Sequence, residues 1–350
     1  MDDASRVGEA RRHAAQAVAA LGWNETDTGR LALVVTELCT NLQRHAKNGR
    51  LLVAVRPGHG GADAAEEVEL ISIDEGPGIP DIALAMRDGH SSGSTPGTGL
   101  GAVRRLANDF DMHSAVPQGT VSVARVRATA SAAGSPPAAP SALSTSLHIG
   151  AICLPAPHET VSGDGWAAAV HVDPNGPGGP SQPGEQLTVL VADGLGHGPE
   201  AAKASQAATA AFAAAPEADL RDTVQSVHRA LQTTRGAAVC ALRVDTAAAS
   251  VSYSGAGNIV GRVLSGVFDK SLVTQHGTAG MQIRKPETTS LALPAHALVV
   301  LHSDGIETRW SVDAIRPLLQ RDPTLVAAVL LRDHTRHRDD ATVVVIRQKE

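Results

Sequence analysis

Four acids in the second half of this 350-residue chain share an unusual setting. Asp193 ends the apolar run Leu187–Ala192 and is followed by Gly194-Leu-Gly196-His197-Gly198. Asp164 lies in Ser162-Gly163-Asp164-Gly165, and Asp304 in His302-Ser303-Asp304-Gly305 after a second apolar run. Asp339 lies in Arg338-Asp339-Asp340-Ala341, just before a last apolar run. A carboxylate at the end of a buried strand is delivered rigidly to the rim of a core, and the glycines beside it let backbone carbonyls approach whatever it holds. Carboxylate and carbonyl oxygens suit hard divalent cations, so four such acids can hold two Mg²⁺ or Mn²⁺ ions. Two ions about 3.5–4 Å apart activate a bridging water and clamp a phosphoryl group. The plainer alternative is four turn acids, with Asp193 capping a helix that starts at Pro199. Their shared order and apolar context weigh against it.

A second constellation occupies the first half. Glu37 and Asn41 are four residues apart and His45 one turn further, so the three share a helix face. A carboxylate and an amide projecting together can hold a water and a metal-bound phosphate. Alone, the same residues read as a polar helix face with one ordinary pair. Asp74 ends a strand and opens the turn Asp74-Glu-Gly76-Pro-Gly78. Its carboxylate can accept a hydrogen bond from an adenine amino group. Gly97-Thr98-Gly99-Leu100-Gly101 opens a helix, and backbone amides at such a start suit phosphates. No Walker lysine accompanies it.

Positioning these residues requires two cores. The length exceeds that of one typical core. The composition, 43% hydrophobic and 19% charged, is that of a globular chain. Aromatics are only 2%, so the cores are aliphatic. Helices are expected over Ala4–Leu21, from a Thr26 or Asp27 cap to about Gly49, and over Ala102–Phe110. Strands are expected over Leu51–Val55 and Val68–Asp74, with a hairpin around Pro117-Gln-Gly119. The Ala/Pro/Ser-rich segment 129–145 has too little apolar bulk to pack and reads as a linker. It separates domains 1–128 and 146–350. The second domain alternates strands with helices over Glu200–Ala215, Leu220–Thr233, Val312–Leu319 and Thr324–Leu331, an α+β layered pattern.

Several readings are set aside. Gly89-His-Ser91-Ser-Gly93 matches a nucleophile-elbow pattern but lacks the strand–turn–helix context. His302, His334 and His337 fit no zinc spacing and read as loop and surface residues. Cys39, Cys153 and Cys240 are far apart and read as buried thiols of a reducing cytosol. The net charge of −6 opposes nucleic-acid or anionic-membrane binding. No apolar run reaches membrane-spanning length. A cytoplasmic protein without a secretory signal is expected.

The order Gly-Asp164, Ala-Asp193-Gly-Leu-Gly-His-Gly, Ser-Asp304-Gly and Asp339-Asp-Ala-Thr342 resembles the PPM-type metal-dependent serine/threonine phosphatases. It is most similar to their SpoIIE-like and RsbX-like bacterial branch. The resemblance covers about residues 146–347 and implies a PPM-type αββα sandwich. It implies that Asp193 bridges two metals, that the Gly194 carbonyl is a ligand, and that Asp164 serves one ion while Asp304 and Asp339 serve the other. Asp340 is the weaker candidate of its pair. The eukaryotic members carry a phosphate-binding arginine near the first acid. None precedes Asp164 here, and Arg336 and Arg338 are the stand-ins. Glu37-x-x-x-Asn41-x-x-x-His45, Asp74-Glu-Gly76-Pro-Gly78 and Gly97–Gly101 resemble the motifs of the GHKL ATP-binding fold, over about residues 5–127. Among GHKL proteins the similarity is greatest to RsbT-like anti-sigma-type kinases. It implies a two-layer α/β sandwich binding ATP with Mg²⁺, with Asn41 on Mg²⁺, Glu37 as general base, Asp74 on adenine and residues 89–101 as a lid. Together the resemblances imply a bifunctional signalling enzyme acting on a STAS-type anti-sigma antagonist or stressosome scaffold. The alternative is a phosphatase gated by a non-catalytic ATP sensor.

Overall fold

The computed structural model describes residues 5–56, 66–87, 99–129, 146–173 and 184–348. The chain divides into two compact units, Met1–Ser144 and Thr145–Glu350.

In the first unit, α1 (Ser5–Ala19) and α2 (Glu25–His45) precede β1 (Arg50–Arg56) and β2 (Glu67–Ile73). Then come a single turn α3 (Ile82–Ala85), α4 (Gly99–Leu106), β3 (Asp109–Ala115) and β4 (Gly119–Arg127). The strands form one antiparallel sheet in the order β1-β2-β4-β3. Leu31, Val34, Val35 and Leu38 of α2 pack with Val68, Leu70, Ala124 and Val126 of the sheet. That stripe recurs at three and four residues, so α2 lies flat on the sheet and its flanking face stays available. The cap of α2 is Asn24, whose side chain accepts from the Asp27 amide, rather than Thr26 or Asp27. Asp27 instead turns inward and accepts from the amide and hydroxyl of Thr129, both at 2.9 Å. The helix expected over Ala102–Phe110 ends at Leu106, because Phe110 belongs to β3 and packs into the core.

The second unit begins with β5 (Leu147–Leu154), β6 (Asp164–Asp173) and β7 (Gly184–Gly194). Helices α5 (Pro199–Ala213) and α6 (Leu220–Ala230) follow, then β8 (Ala237–Asp245), β9 (Ser250–Ala256), β10 (Val260–Leu264) and β11 (Asp269–Leu272). A small pair β12 (Gly277–Thr278) and β13 (Gln282–Ile283) leads to β14 (Thr289–Ala292) and β15 (Leu298–His302). The chain continues through α7 (Val312–Ile315), a 3₁₀ turn over Arg316–Leu318, α8 (Pro323–His334) and β16 (Ala341–Gln348). The single helix expected over Val312–Leu319 is thus split, with Pro317 inside the tighter turn.

Two five-stranded sheets, β11-β10-β15-β16-β5 and β14-β9-β8-β7-β6, form the unit. Leu187, Val189 and Val191 of one sheet and Val299, Leu301 and Val344 of the other belong to one core cluster. On its other face, β7 sends Leu190 and Ala192 into a second core with Ala204, Phe212, Val224 and Val227 of α5 and α6. The run Leu187–Ala192 is therefore buried on both faces, as its continuous apolarity requires. Helix α8 packs on β5 and β16. The architecture is an αββα sandwich.

Candidate functional site

Asp164 and Asp193 face each other in register at the shared end of β6 and β7. Asp304 follows β15 and Asp339 precedes β16, at an end of the other sheet. The two sheet ends come together, because Asp304 and Asp339 of one act on Asp193 of the other. Burial pushes Asp193 up to about 8, and the negative charges of Asp164, Asp304 and Asp339 add to the rise. Burial pushes Asp164 up to about 7; Ser303 and Thr342 act the other way, and Asp340 and Asp339 raise it further. Asp304 is raised by burial and by Asp339 while Arg336, Asn258 and Arg338 hold it down. Asp164, Asp193 and Asp304 thus each feel at least one other acid of the set, which dispersed turn acids would not do.

Gly194 sits where a side chain would collide, since a Cβ would lie 2.8 Å from the Gly163 carbonyl oxygen. Helix α5 is capped by Gly198 with Pro199 first, so Asp193 is not its cap. Asp164 Oδ2 and Asp340 Oδ2 are buried without a hydrogen-bond partner. A buried unpartnered carboxylate oxygen is costly, and a cation is the natural partner for it. The donor set therefore fits divalent ions. Among the described residues no three His, Cys, Asp or Glu side chains close on one point as a finished ion site.

In the first unit the three sequence segments also meet. A Cβ on Gly99, the first residue of α4, would lie 4.0 Å from Asn41 Oδ1 on α2. Asn41 Nδ2 is buried without a partner. A Cβ on Gly76 would lie 2.7 Å from the His45 carbonyl oxygen, so the turn after β2 presses on the end of α2. The Glu75 amide donates to Lys47 O at 2.9 Å, fastening the same contact. Asp74 Oδ1 accepts from the Gly76 amide at 2.7 Å, which fixes the carboxylate's orientation. Glu37 is part-buried on α2, one turn before Asn41. Gly78 lies in the turn after Gly76 with φ +75°, and Leu100 and Gly101 lie in the first turn of α4. Gly97 and Thr98, most of the 89–101 lid and the Ser91 motif lie outside the described residues.

Family comparisons agree with both geometries. Residues 2–126 match the model of the histidine kinase-like ATPase domain, and residues 183–349 match that of stage II sporulation protein E (SpoIIE). The first half is 33% identical over 100 residues to the serine/threonine-protein kinase RsbT of Bacillus subtilis (strain 168), covering 29% of this chain and 72% of that protein. The chain joins a histidine kinase-like ATPase domain, of the family that includes RsbT, to a SpoIIE domain. Among solved structures, a component of "The bacterial stressosome: a modular system that has been adapted to control secondary messenger signaling" aligns over 57% of this chain and 99% of its own. The TM-score is 0.51 at 25% identity. A crystal structure of RsbX in complex with magnesium aligns over 58% of this chain and 96% of its own, with a TM-score of 0.44 at 18% identity.

The SpoIIE domain also contains site residues that the sequence did not single out. Asn258 Nδ2 donates to Asp304 Oδ2 at 2.7 Å and holds that carboxylate. Nothing around Asn258 in the sequence distinguishes it from an ordinary turn asparagine. Ser303 Oγ accepts from the Thr342 amide at 3.0 Å, tying together the segments that carry Asp304 and Asp339. Both residues lie inside the motifs, so proximity was their available signal. His197 Nδ1 lies 2.7 Å from Glu159 Oε1, bracing the glycine loop against the segment before Asp164. His302 is not a surface residue. It is buried in β15, where burial lowers it to about 4, and Trp310 Nε1 donates to its Nε2. Cys39 and Cys240 are buried, with burial pushing their thiols up to about 11 and about 12, whereas Cys153 is only part-buried. Among the described residues no helix is long and apolar enough to cross a membrane.

Proposed function

We propose that the SpoIIE domain removes phosphate from phosphoserine or phosphothreonine of a partner protein, and that the ATPase domain binds Mg-ATP and phosphorylates such a partner. The observation that carries the first half is the pair Asp164 and Asp193 in register at one sheet end, with Asp304 and Asp339 of the other sheet near enough to act on Asp193. Asp193 would hold both of two Mg²⁺ or Mn²⁺ ions and the Gly194 carbonyl would add a ligand, with Asp164 on one ion and Asp304 and Asp339 on the other. When bound, the ions supply positive charge that polarises the phosphoryl group and acidifies water. The chain contributes rigidity. Strands β6 and β7 fix two carboxylates in register, Asn258 orients Asp304, and Ser303 locks β15 to β16. Orientation supplied this way needs no rearrangement during the reaction.

In the ATPase domain, Asn41 would hold Mg²⁺, Asp74 the adenine amino group, and the amides of residues 97–101 the phosphates, with Glu37 as general base. The partner we favour is a STAS-type anti-sigma antagonist or stressosome scaffold, which the similarity to RsbT and to a stressosome component supports. A second reading is favoured by the pocket itself. The residues brought together, Asn41, Asp74 and Gly99, are those that would bind nucleotide, so a domain that only senses ATP and gates the phosphatase satisfies the same geometry. Incubation of the full chain with γ-labelled ATP and purified STAS proteins separates the two. Label on the partner supports transfer, and ATP binding without label supports the sensor. Hydrolysis of a phosphoserine protein with Mn²⁺ tests the phosphatase, and activity undiminished in EDTA would end that assignment.

A further inference from the structure

A protein cation that holds the incoming phosphate would add to the clamp supplied by metal ions in an enzyme that hydrolyses a phosphomonoester. No arginine lies between the start of β5 and Asp164. Arg336 and Arg338 stand on the Asp304 side, where their charge already acts on that carboxyl. The opposite side offers a different candidate. Arg235, in the turn between α6 and β8, places Nη1 3.3 Å from where a Cβ on Gly196 would stand. Gly196 belongs to the glycine loop after Asp193, at φ +86°, so the guanidinium lies where any side chain at that position would intrude. The Leu195 amide donates to Gly236 O at 3.0 Å, and Gly194 pairs with Ala237, so the Arg235 turn and the Asp193 loop move as one piece.

Arg235 is exposed, and among the described residues it makes no hydrogen bond or ion pair. Its charge acts on Glu200, but that carboxylate is paired with Lys203 at 2.5 Å. An uncommitted guanidinium against the glycine loop that follows Asp193 is free to meet an anion that arrives from solvent, and its planar fork matches phosphate oxygens. Two exposed apolar side chains flank it. Leu195 is 42% exposed and Met281 67% exposed. Met281 Cγ is 3.4 Å from where a Cβ on Gly236 would stand, next to Arg235 in sequence.

We propose that Arg235 anchors the phosphate of a phosphoserine- or phosphothreonine-containing segment, while Leu195 and Met281 receive the apolar residues beside it. This rests on the phosphatase reading and names its substrate-binding lip. The site would take a phosphorylated polypeptide in preference to a free small phosphomonoester.

The test uses the full chain with Mn²⁺, a phosphoserine peptide with apolar flanking residues, p-nitrophenyl phosphate, and inorganic phosphate as inhibitor. Arg235→Ala raises KM for both substrates and Ki for phosphate by about ten- to a hundred-fold, the loss expected of one charged hydrogen-bonding group. Arg235→Lys recovers part of that loss, and kcat changes less than KM. The pair Leu195→Ser with Met281→Ser raises KM for the peptide and leaves p-nitrophenyl phosphate unchanged. Unchanged KM and Ki in both Arg235 variants, with the wild type active, overturns the inference and leaves the phosphatase reading standing. Should the wild type show no turnover, the thermal shift produced by inorganic phosphate still decides. A shift lost in Arg235→Ala retains the anion site and sinks the phosphatase reading, and a shift unaltered by the substitution sinks the inference as well.

Discussion

The two domains handle buried charge in opposite ways. In the ATPase domain the sheet carries Glu67 and Glu69, both almost fully buried, but each meets arginine. Arg125 Nε donates to Glu69 at 2.9 Å, Arg127 Nε to Glu67 at 2.7 Å, and Arg56 pairs with Glu69 at 3.1 Å. In the SpoIIE domain Asp164 and Asp193 are set side by side in register, and the strongest influences on Asp193 after burial are other acids. The first arrangement is a closed structural network, neutralised by the chain itself. The second is left open and repulsive, a state that structural packing alone would not favour and that bound cations relieve. Where the fold leaves like charges together, chemistry is the expected reason.

Four substitutions can break that comparison, beginning with the largest effect. Asp193→Asn should abolish Mn²⁺-dependent hydrolysis, a loss of at least about a thousandfold by the scale of electrostatic stabilisation at reacting centres. In EDTA above about pH 8, where Asp193 is ionised, the same variant should melt higher than wild type, because one repelling charge is gone. The metal-free wild type should behave likewise with pH. Asp164 and Asp193 are raised to about 7 and about 8, so between pH 4 and 8 the folded state holds more protons than the unfolded one. Stability of the SpoIIE domain should then fall as pH rises from about 4 and level off above about 8 in EDTA, and saturating Mn²⁺ should remove the trend. Calorimetry across pH with and without metal would show it, and a flat metal-free profile would remove the claim of stored repulsion.

Arg125→Ala should make the ATPase domain resemble its neighbour by leaving Glu69 and Glu67 undercompensated, at a cost of about 3–5 kcal/mol. Urea unfolding of the ATPase-domain transition measures it, and a loss below about 1 kcal/mol would mean the network is solvated. Asn258→Ala should cost about ten- to a hundredfold in Mn²⁺ affinity or activity while leaving the melting temperature nearly unchanged. Equal losses at every metal concentration would point to folding damage instead. The smallest effect should come from Asp27→Asn, about 1 kcal/mol. Burial raises this carboxyl, but the hydrogen bonds from Thr129 and Asn24 and the charge of Arg30 outweigh it and leave it lowered. Its contribution is therefore full above the unfolded carboxylate range and disappears as pH falls through the folded value. The variant should converge with wild type in acid; divergence that persists there would contradict the assignment.

Much of this was legible locally. The burial of Leu187–Ala192 on both faces follows from a run of apolar residues with no polar interruption apart from Thr188, which is itself buried. The α2 stripe follows from residue spacing, and the glycine turns after Asp74 and Asp193 from residue type. The misreadings share a cause. His302 looks like a polar end to a strand, yet Trp310 and the Ser303 carbonyl satisfy both ring nitrogens and let it be buried. Phe110 looks like the end of a helix, but the sheet recruits it. Asn24 takes the cap because Asp27 is used by Thr129, 102 residues away. In each case a contact made only in the folded chain outweighed a local preference worth about 1 kcal/mol.

Residue order alone determined that acids stand at the ends of apolar strands, that an amide and a carboxylate share a helix face, and that the chain has more than one core. These are consequences of periodicity and composition, which act over a few residues at a time. The meeting of Asp164, Asp193, Asp304 and Asp339, the hold of Asn258 on Asp304 and the approach of Arg235 to Gly196 were decided only by the tertiary structure. Register between strands and the facing of two sheets set those distances, and they depend on burying both faces of β7 at once.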